Sequence, residues 1–472
     1  MANIVIVGGG VVGLGLGMML AGDGHDIRML ERDPEPPPAD AGRAWESWER
    51  RGVNQFRLAH YFVPRYRQII EAELPKVVAA LERDGALRIN PLLGAPEVFT
   101  GGRREGDDRF ELLTGRRAVV ERAVAEVAAE TAGLEIRRGT AVTGLRTGAE
   151  AVAGVPNVTG VTTADGEEVS ADLVIDCMGR RSALPAWLTG VGARPPVEEL
   201  EDCGFMYYGR HYRSSDGSLP ADIGGALQEF GSISIATLAA DNGTWSVVLV
   251  AGADDRALLG LKDAARWEKA VRSLPTVVHW IDAEPIEDRV ITMVKIEDRI
   301  RNLAPDGHPV ATGVVAVADA WACTNPSLGR GASIGMIHAQ LLRDCLRSVG
   351  TDSPAALQEA FSEATTRVVE PWYRATLTFD RHRLAEMRAL AAGRTYEPED
   401  PMFGLAKAMR ASVLNDPDCF RNFMDVAGVL ATPEEVLARP GALDRFIEHG
   451  GDWRERPEIG PTRDELVALA AS

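Results

Sequence analysis

The first residues equipped for chemistry stand at the start of the chain. Gly8-x-Gly10-x-x-Gly13 follows the short apolar run Asn3 to Val7 and opens the segment Leu14 to Ala21. Between a strand and a helix, the first glycine permits the tight turn and the second lets a pyrophosphate approach the backbone. The third lets helix and strand pack. Free N–H groups and the helix dipole then favour an anion. Glu31 ends a second apolar run, Asp26 to Leu30, 18 residues after Gly13. There its carboxylate can accept hydrogen bonds from an adenosine ribose. Val12 inside the loop and Arg32 after the acid join the expected contacts. Strand, glycines, helix and acid point to a dinucleotide, and on these residues alone FAD and NAD are both open.

Two later stretches select between them. One is Ala171 to Ser182, with Asp176-Cys177-Met178-Gly179 at its centre. The other is Gly313 to Ala320, followed by Pro326-x-x-Gly329-x-Gly331. Asp319 at a strand end can accept hydrogen bonds from a ribityl chain, and Pro326 with the glycines lets the backbone pass close to a flat ring. The helix expected from Ala332 aims its positive end at that turn. A reduced flavin, anionic at its N1–C2=O edge, would gain roughly 0.3–2 kcal/mol there.

In this order and spacing the chain resembles the FAD-dependent monooxygenases of the para-hydroxybenzoate hydroxylase-like superfamily. The resemblance covers about 1–185 and 310–350 well and the rest loosely. Arg50 to His60 resembles the Arg-x-Gly-Val-Pro-Gln-x-x-x-x-His stretch of a branch that includes bacterial polyketide epoxidases, with Asn54 in place of the proline. Thr114 to Arg122 resembles the family's Arg-x-x-Leu-Glu helix start. The resemblance implies noncovalent FAD, contacted by Arg51 and Arg117, with Val142 meeting the adenine through its backbone. It implies transfer of one oxygen atom from O2 to an apolar organic small molecule, through a C4a-hydroperoxyflavin, as epoxidation or hydroxylation in secondary metabolism. Electrons would come from NAD(P)H or from a partner flavin reductase. Three departures stand out: Ala318-Asp319 replaces the usual Gly-Asp, the Ala-His pair of aromatic hydroxylases is missing after Asp319, and Ile337-His338-Ala339 replaces a frequent Asp-Ala. The halogenase motif Trp-x-Trp-x-Ile-Pro is absent.

Other readings share these residues. An FAD dehydrogenase or C=C reductase of the geranylgeranyl reductase kind carries the same middle and late motifs, and a non-enzymatic binder can use the same fold. Gly331-Ala332-Ser333-Ile334-Gly335 matches a hydrolase nucleophile elbow, but a polar turn rather than an apolar strand precedes it. His60 reads as a proton donor near the flavin, a substrate contact or a packing residue. Cys323 reads as a small spacer beside the turn. Phe205, Tyr207 and Tyr212 alternate well enough to wall a substrate site.

The elements that must position these groups follow from pattern. Strands are expected at Ala141–Leu145, Gly160–Thr163, Ala171–Cys177, Phe205–Tyr212, Thr244–Val250 and Val310–Ala318; helices at 66–84, 115–130, 262–273 and from about Ala332 to Val349. The fold class is α/β with α+β mixing. It comprises a Rossmann-like FAD-binding domain (1–185 and 309–350), an inserted mixed β-sheet substrate domain (186–308) and a helical C-terminal region (351–472). Lys+Arg 51 against Asp+Glu 69 gives a net charge of -18, which opposes nucleic-acid and anionic-membrane partners. The five cysteines form no C-x-x-C pair and the eight histidines show no ligand spacing, so neither disulfides nor a metal are expected. No apolar run reaches the roughly 20 residues of a membrane span, and the N-terminal apolar stretch has no basic leader. A cytoplasmic protein without stable membrane insertion is the expectation.

Overall fold

Ile4, Val5, Ile6 and Val7 are buried and β-branched, which favours a strand covered on both faces. In the computed structural model, which describes every residue except Asn54, Ile223, Gly224, Pro457 and Glu458, Asn3–Val7 is the central strand of a five-stranded sheet. The proline-replacing Asn54 thus lies outside the described residues. The strand order is Val314–Ala316, Leu173–Asp176, Asn3–Val7, Asp26–Glu31, Leu134–Arg138. All four pairings are parallel. The carboxyl ends of the strands therefore share one edge, and Gly8, Glu31, Cys177 and the turn before Asp319 meet there. Leu14 of the Val11–Gly22 helix, Val120 of the Arg117–Ala129 helix and Leu342 of the Gly331–Val349 helix share one core.

Two glycines make that edge possible. Gly8 sits at φ +106°, and a Cβ there would lie 2.6 Å from the Cys177 carbonyl oxygen. A Cβ on Gly13 would lie 2.3 Å from the Gly8 carbonyl oxygen. The loop is therefore packed backbone against backbone on the protein side.

An antiparallel meander, Val142–Val152, Val155–Thr163 and Glu168–Ser170, flanks the parallel sheet. The inserted region forms a second sheet in the order Leu227–Phe230, Ile233–Ala239, Thr244–Gly252, Phe205–Arg213, Glu284–Pro285, and its pairings are antiparallel. Period-2 alternation splits Phe205–Arg213 between two cores. Phe205 and Tyr207 pack with Val248 and Val250 on one face. Met206, Tyr208 and Tyr212 pack with Trp245 and Trp267 on the other.

Four long helices of the C-terminal part carry proline in their first turn: Pro354–Val368, Glu370–Ala391 (Pro371), Pro401–Ser412 and Pro417–Ala427. Proline suits that position because its missing N–H would have no helical partner. The last helix, Arg463–Ala471, returns to the inserted sheet, burying Leu466 and Ala470 in its core.

Local sequence rules explain two differences from expectation. The helix expected over 66–84 is two helices, Pro64–Glu73 and Pro75–Arg83, because Pro75 has no N–H for a continuous helix. The strand expected over Val310–Ala318 is only Val314–Ala316. Positive φ at Gly313 (+73°) and Ala318 (+57°) bounds it on both sides. Among the described residues, no helix is long and apolar enough to cross a membrane.

Gly13→Ala should lower stability by about 1–3 kcal/mol through overpacking against the Gly8 carbonyl. The urea midpoint of the ligand-free protein checks this, and an unchanged midpoint would mean that the loop has room to yield.

Candidate active site

A cavity of about 1810 Å³ opens at the carboxyl edge of the parallel sheet. Single-ligand pockets usually hold about 300–1,000 Å³, so this one has room for a cofactor and a second molecule. Gly8, Gly10, Val12, Gly13, Glu31, Arg32, Arg117, Val142, Asp319, Pro326, Gly329, Gly331 and Ala332 all line it, as do His60, Phe205 and Tyr207. Arg51 and Tyr212 do not.

Tyr212 lies on the back of its strand, with ring centroids 6.4 Å from those of Trp245 and of Trp267. Its even position puts it opposite Phe205 and Tyr207, so it is a core residue and no wall. Arg51 points into solvent, its side chain 89% exposed with Glu49 at 4.0 Å. The neighbouring Arg50 holds the inward position instead, its side chain 1% exposed.

Arg50 is the centre of a buried ionic group. Its Nη2 donates to Glu31 Oε2 (2.9 Å) and to the Gly9 carbonyl (3.0 Å). Its Nε donates to Asp33 Oδ2 (3.1 Å) and its Nη1 to Glu121 Oε2 (3.2 Å). Arg117 reaches the other oxygen of Glu121 through Nε (2.8 Å) and Nη2 (2.6 Å). Glu31 also accepts the Gly9 N–H (2.8 Å) and the Asp33 N–H (2.8 Å). Three of the roughly four acceptor sites of its carboxylate are therefore filled by protein, which leaves one for a ribose hydroxyl.

Gly10 caps the Val11–Gly22 helix without a side-chain bond, and a Cβ on it would meet nothing within 4 Å. Backbone N–H groups of the first turn have no helical partner. This loop is tight toward the protein and open toward the cavity, the shape a pyrophosphate requires.

Asp319 is solvent-accessible and lines the cavity. Burial pushes its carboxyl above the ordinary value, against the pull of Arg117 and Arg180. The turn that presents it is strained at Ala318, an L residue at φ +57°. His338 Nδ1 accepts the Ala318 N–H (3.1 Å), and its Nε2 lies 3.0 Å from Thr365 Oγ1. The Thr365 hydroxyl donates to Phe361, so the imidazole donates through Nε2. Burial holds His338 down near 3, a neutral ring at physiological pH.

The Asn325–Gly331 turn is gripped from three sides. Its Asn325 N–H donates to Asp298 Oδ1 (2.7 Å). Tyr207 donates its hydroxyl to Asn325 Oδ1. Asp380, from the Glu370–Ala391 helix, accepts from Asn325 Nδ2 (3.1 Å) and from Ser327 Oγ (2.8 Å). Asp380 Oδ2 is buried without a partner, and burial pushes this carboxyl up to about 8. From sequence, Arg50 is named only as the first residue of the Arg50–His60 stretch, not as a site residue, and Asp380 is not named. For Asp380 a signal existed: it falls on the buried stripe Trp372, Thr376, Leu377, Leu384, Met387 of its helix.

His60 lines the cavity beside Phe62, with Nδ1 3.1 Å from the Leu58 carbonyl. A carbonyl only accepts, so Nδ1 carries the proton. Burial, with Arg117, holds the ring down near 3. The ring is therefore neutral at physiological pH, with its Nδ1–H engaged by Leu58. Cys323 is buried and its thiol is pushed up to about 12 by burial, as suits a spacer.

This geometry fits a flavin dinucleotide, and comparison with known proteins agrees. Residues 3–124 match the family of FAD dependent oxidoreductases. Over 389 residues the chain is 25% identical to protein Rv3254 of Mycobacterium tuberculosis, covering 78% of each. Among solved structures it is similar to the Diels-Alderase PyrE3 of pyrroindomycin biosynthesis, at TM-score 0.60 and 17% identity over 91% of this chain and 81% of that one. It is also similar to PqsL, a probable FAD-dependent monooxygenase from Pseudomonas aeruginosa, at TM-score 0.58 and 16% identity over 83% and 98%. These structural likenesses establish a shared fold. The family match itself is confined to residues 3–124.

Gly10→Val should abolish FAD loading while leaving the melting temperature of the ligand-free protein unchanged, since its side chain meets only the phosphate path. Full flavin occupancy in the purified variant would refute the placement. A second expectation concerns Asp380. Its native pKa near 8 exceeds the ordinary carboxyl value of about 4. The unfolded chain therefore ionises first, and stability falls as pH rises between those values, then levels off. Asp380→Asn keeps the acceptor oxygen and removes the titration. Its stability relative to wild type should rise by up to about 5 kcal/mol from pH 4 to pH 8. A pH-independent difference in urea midpoint would show that Asp380 is charged in the native state.

Proposed function

We propose that the protein is an FAD-dependent monooxygenase that adds one oxygen atom from O2 to an apolar organic molecule, by epoxidation or hydroxylation, in secondary metabolism. The observation that carries this reading is the single cavity. It joins the glycine loop, the Asn325–Gly331 turn and the Phe205–Tyr207 face of the inserted sheet. A cofactor along the first two would present its reactive end to a chamber walled by the third.

In this reading the pyrophosphate lies at Gly8–Gly13, the adenosine ribose at the remaining acceptor site of Glu31, the ribityl chain by Asp319 and the ring by Pro326–Gly331. Bound FAD supplies the two-electron chemistry that divides dioxygen between product and water. The chain's own part is to bind, orient and shield. The Gly331–Val349 helix starts at the turn with no side-chain cap, so its positive end favours negative charge there. Phe205 and Tyr207, backed by Val248 and Val250, form an apolar wall that keeps water from the reacting atoms. No side-chain nucleophile is required. Electrons come from NAD(P)H or from a separate flavin reductase. The five free thiols support a reducing, cytoplasmic setting. The domain limits 1–185 with 309–350, 186–308 and 351–472 belong to the same proposal.

The test is isotopic. Under labelled dioxygen with reductant supplied, the product should carry one labelled oxygen atom per turnover. Unlabelled product, or product formed equally well without oxygen, would move the protein to the dehydrogenase or C=C reductase reading. A colourless protein that cannot be loaded with FAD would leave only a binder.

A further inference from the structure

Beyond the Asn325–Gly331 turn, the cavity is bordered by the Glu370–Ala391 and Pro417–Ala427 helices, and Arg330 lines it. Arg330 is 8% exposed. Its Nη2 reaches the Val426 carbonyl at 3.3 Å, near the long limit for such a bond. Its guanidinium lies over Trp372, 5.4 Å from the ring centroid. Its buried Nε has no partner.

Among the described residues, no carboxylate forms an ion pair with Arg330. Among other buried arginines, Arg50, Arg116, Arg301 and Arg421 each hold one, while Arg210 shares the unpaired state of Arg330. Asp380 is the acid that acts on Arg330, but it makes no ion pair with it: its Oδ1 is taken by Asn325 and Ser327, and burial pushes the carboxyl up to about 8. A buried cation without a counter-charge is costly, and burial draws the Arg330 guanidinium down to about 10. A residue that costs stability this way, in the wall of a ligand cavity, calls for a ligand that repays the cost.

We propose that Arg330 anchors an acidic group of the small molecule that occupies this chamber, a carboxylate or similarly delocalised oxyanion on an apolar body. The planar fork of arginine matches such a group, and the interaction strengthens away from water. The surroundings suit the apolar remainder: Val63, Trp372 and Val429 form a buried cluster here, with Tyr61 against it. The proposal rests on the flavoenzyme reading only in taking this chamber as the substrate's. An anionic reduced flavin is the other oxyanion that Arg330 could serve, and the experiment separates the two.

The experiment is equilibrium dialysis of FAD-loaded protein against 1-naphthoate and its uncharged analogue 1-naphthamide, without reductant. Wild type should prefer naphthoate. Arg330→Met should lose roughly ten- to hundredfold in naphthoate affinity with naphthamide unchanged. Arg330→Lys should recover part of the loss. Ligand-free Arg330→Met should melt no lower than wild type, because an unpaired buried charge has gone. Equal naphthoate affinity in wild type and Arg330→Met would overturn the proposal, as would a wild type with no preference for the acid. Loss of both probes with a lowered melting temperature would mark a residue that clamps helices. Intact naphthoate binding with a lowered midpoint potential of the bound flavin would assign the charge to the cofactor. None of these readings involves turnover, so a failure of oxygen transfer and a failure of acid binding are separate results.

Discussion

Three buried carboxylates around one guanidinium set the cofactor end of this protein. Glu31, Asp33 and Glu121 each form an ion pair with Arg50, and all four side chains are under 10% exposed. Arg117 supplies a second cation through Glu121, and Arg138 lies close enough to feel Arg50 and Glu31. Three acids and three bases then balance. The balance matters because breaking a buried pair costs about 3–5 kcal/mol, against a total stability of about 5–15 kcal/mol. The group ties the Gly9 backbone to the end of the Asp26–Glu31 strand and both to the Arg117–Ala129 helix. The glycine loop is thereby set before any dinucleotide arrives, and a preformed loop spends little binding energy on ordering.

What could be read from sequence follows the range of the interactions. The glycine loop was legible because its demands are local: a tight turn, a close approach and a helix start within six residues. The parallel sheet followed from apolar runs alternating with helices. Arg51 rather than Arg50 was expected at the cofactor, although the Arg-x-Gly-Val pattern begins at Arg50; which of two adjacent arginines turns inward depends on Asp33 and Glu121, far apart in the chain. Tyr212 was a different kind of error. Strand alternation separates position 212 from 205 and 207, and that parity stood in the sequence. Asp380 stood there too, as an acid on an apolar helical stripe, but its partners on the Asn325–Gly331 turn are set by tertiary structure alone.

Two departures from the family pattern meet in space. Ala318 stands where glycine is usual and adopts φ +57°, which costs an L residue about 1–2 kcal/mol. His338 stands on the helix that follows, and it accepts the N–H of that same residue. Its ring is packed near Phe361 and Trp321, with centroids at 4.8 and 5.3 Å, so the acceptor cannot swing away. The strained turn is therefore held by a fixed hydrogen bond rather than by glycine's freedom. Asp319 keeps its place facing the cavity, and the two unusual residues form one device.

The Asn325–Gly331 turn shows how three parts of the chain share one task. Asp298 and Tyr207 come from the inserted region, Asp380 from the C-terminal helices, and the turn itself leads into a helix of the cofactor domain. Each bond ends on a buried or half-buried polar atom, where an unmade bond costs more than a made one gains. The turn therefore cannot shift without disturbing both the inserted sheet, through Tyr207, and the helical region, through Asp380. The phosphate end depends on a different set of residues, centred on Arg50 and sharing no hydrogen bond with these. Changes among the C-terminal helices can then reshape the chamber beside the ring turn while the dinucleotide grip stays intact. The two ends of the cavity can in this way vary separately, because the ionic group around Arg50 and the polar group around Asn325 are built from different residues.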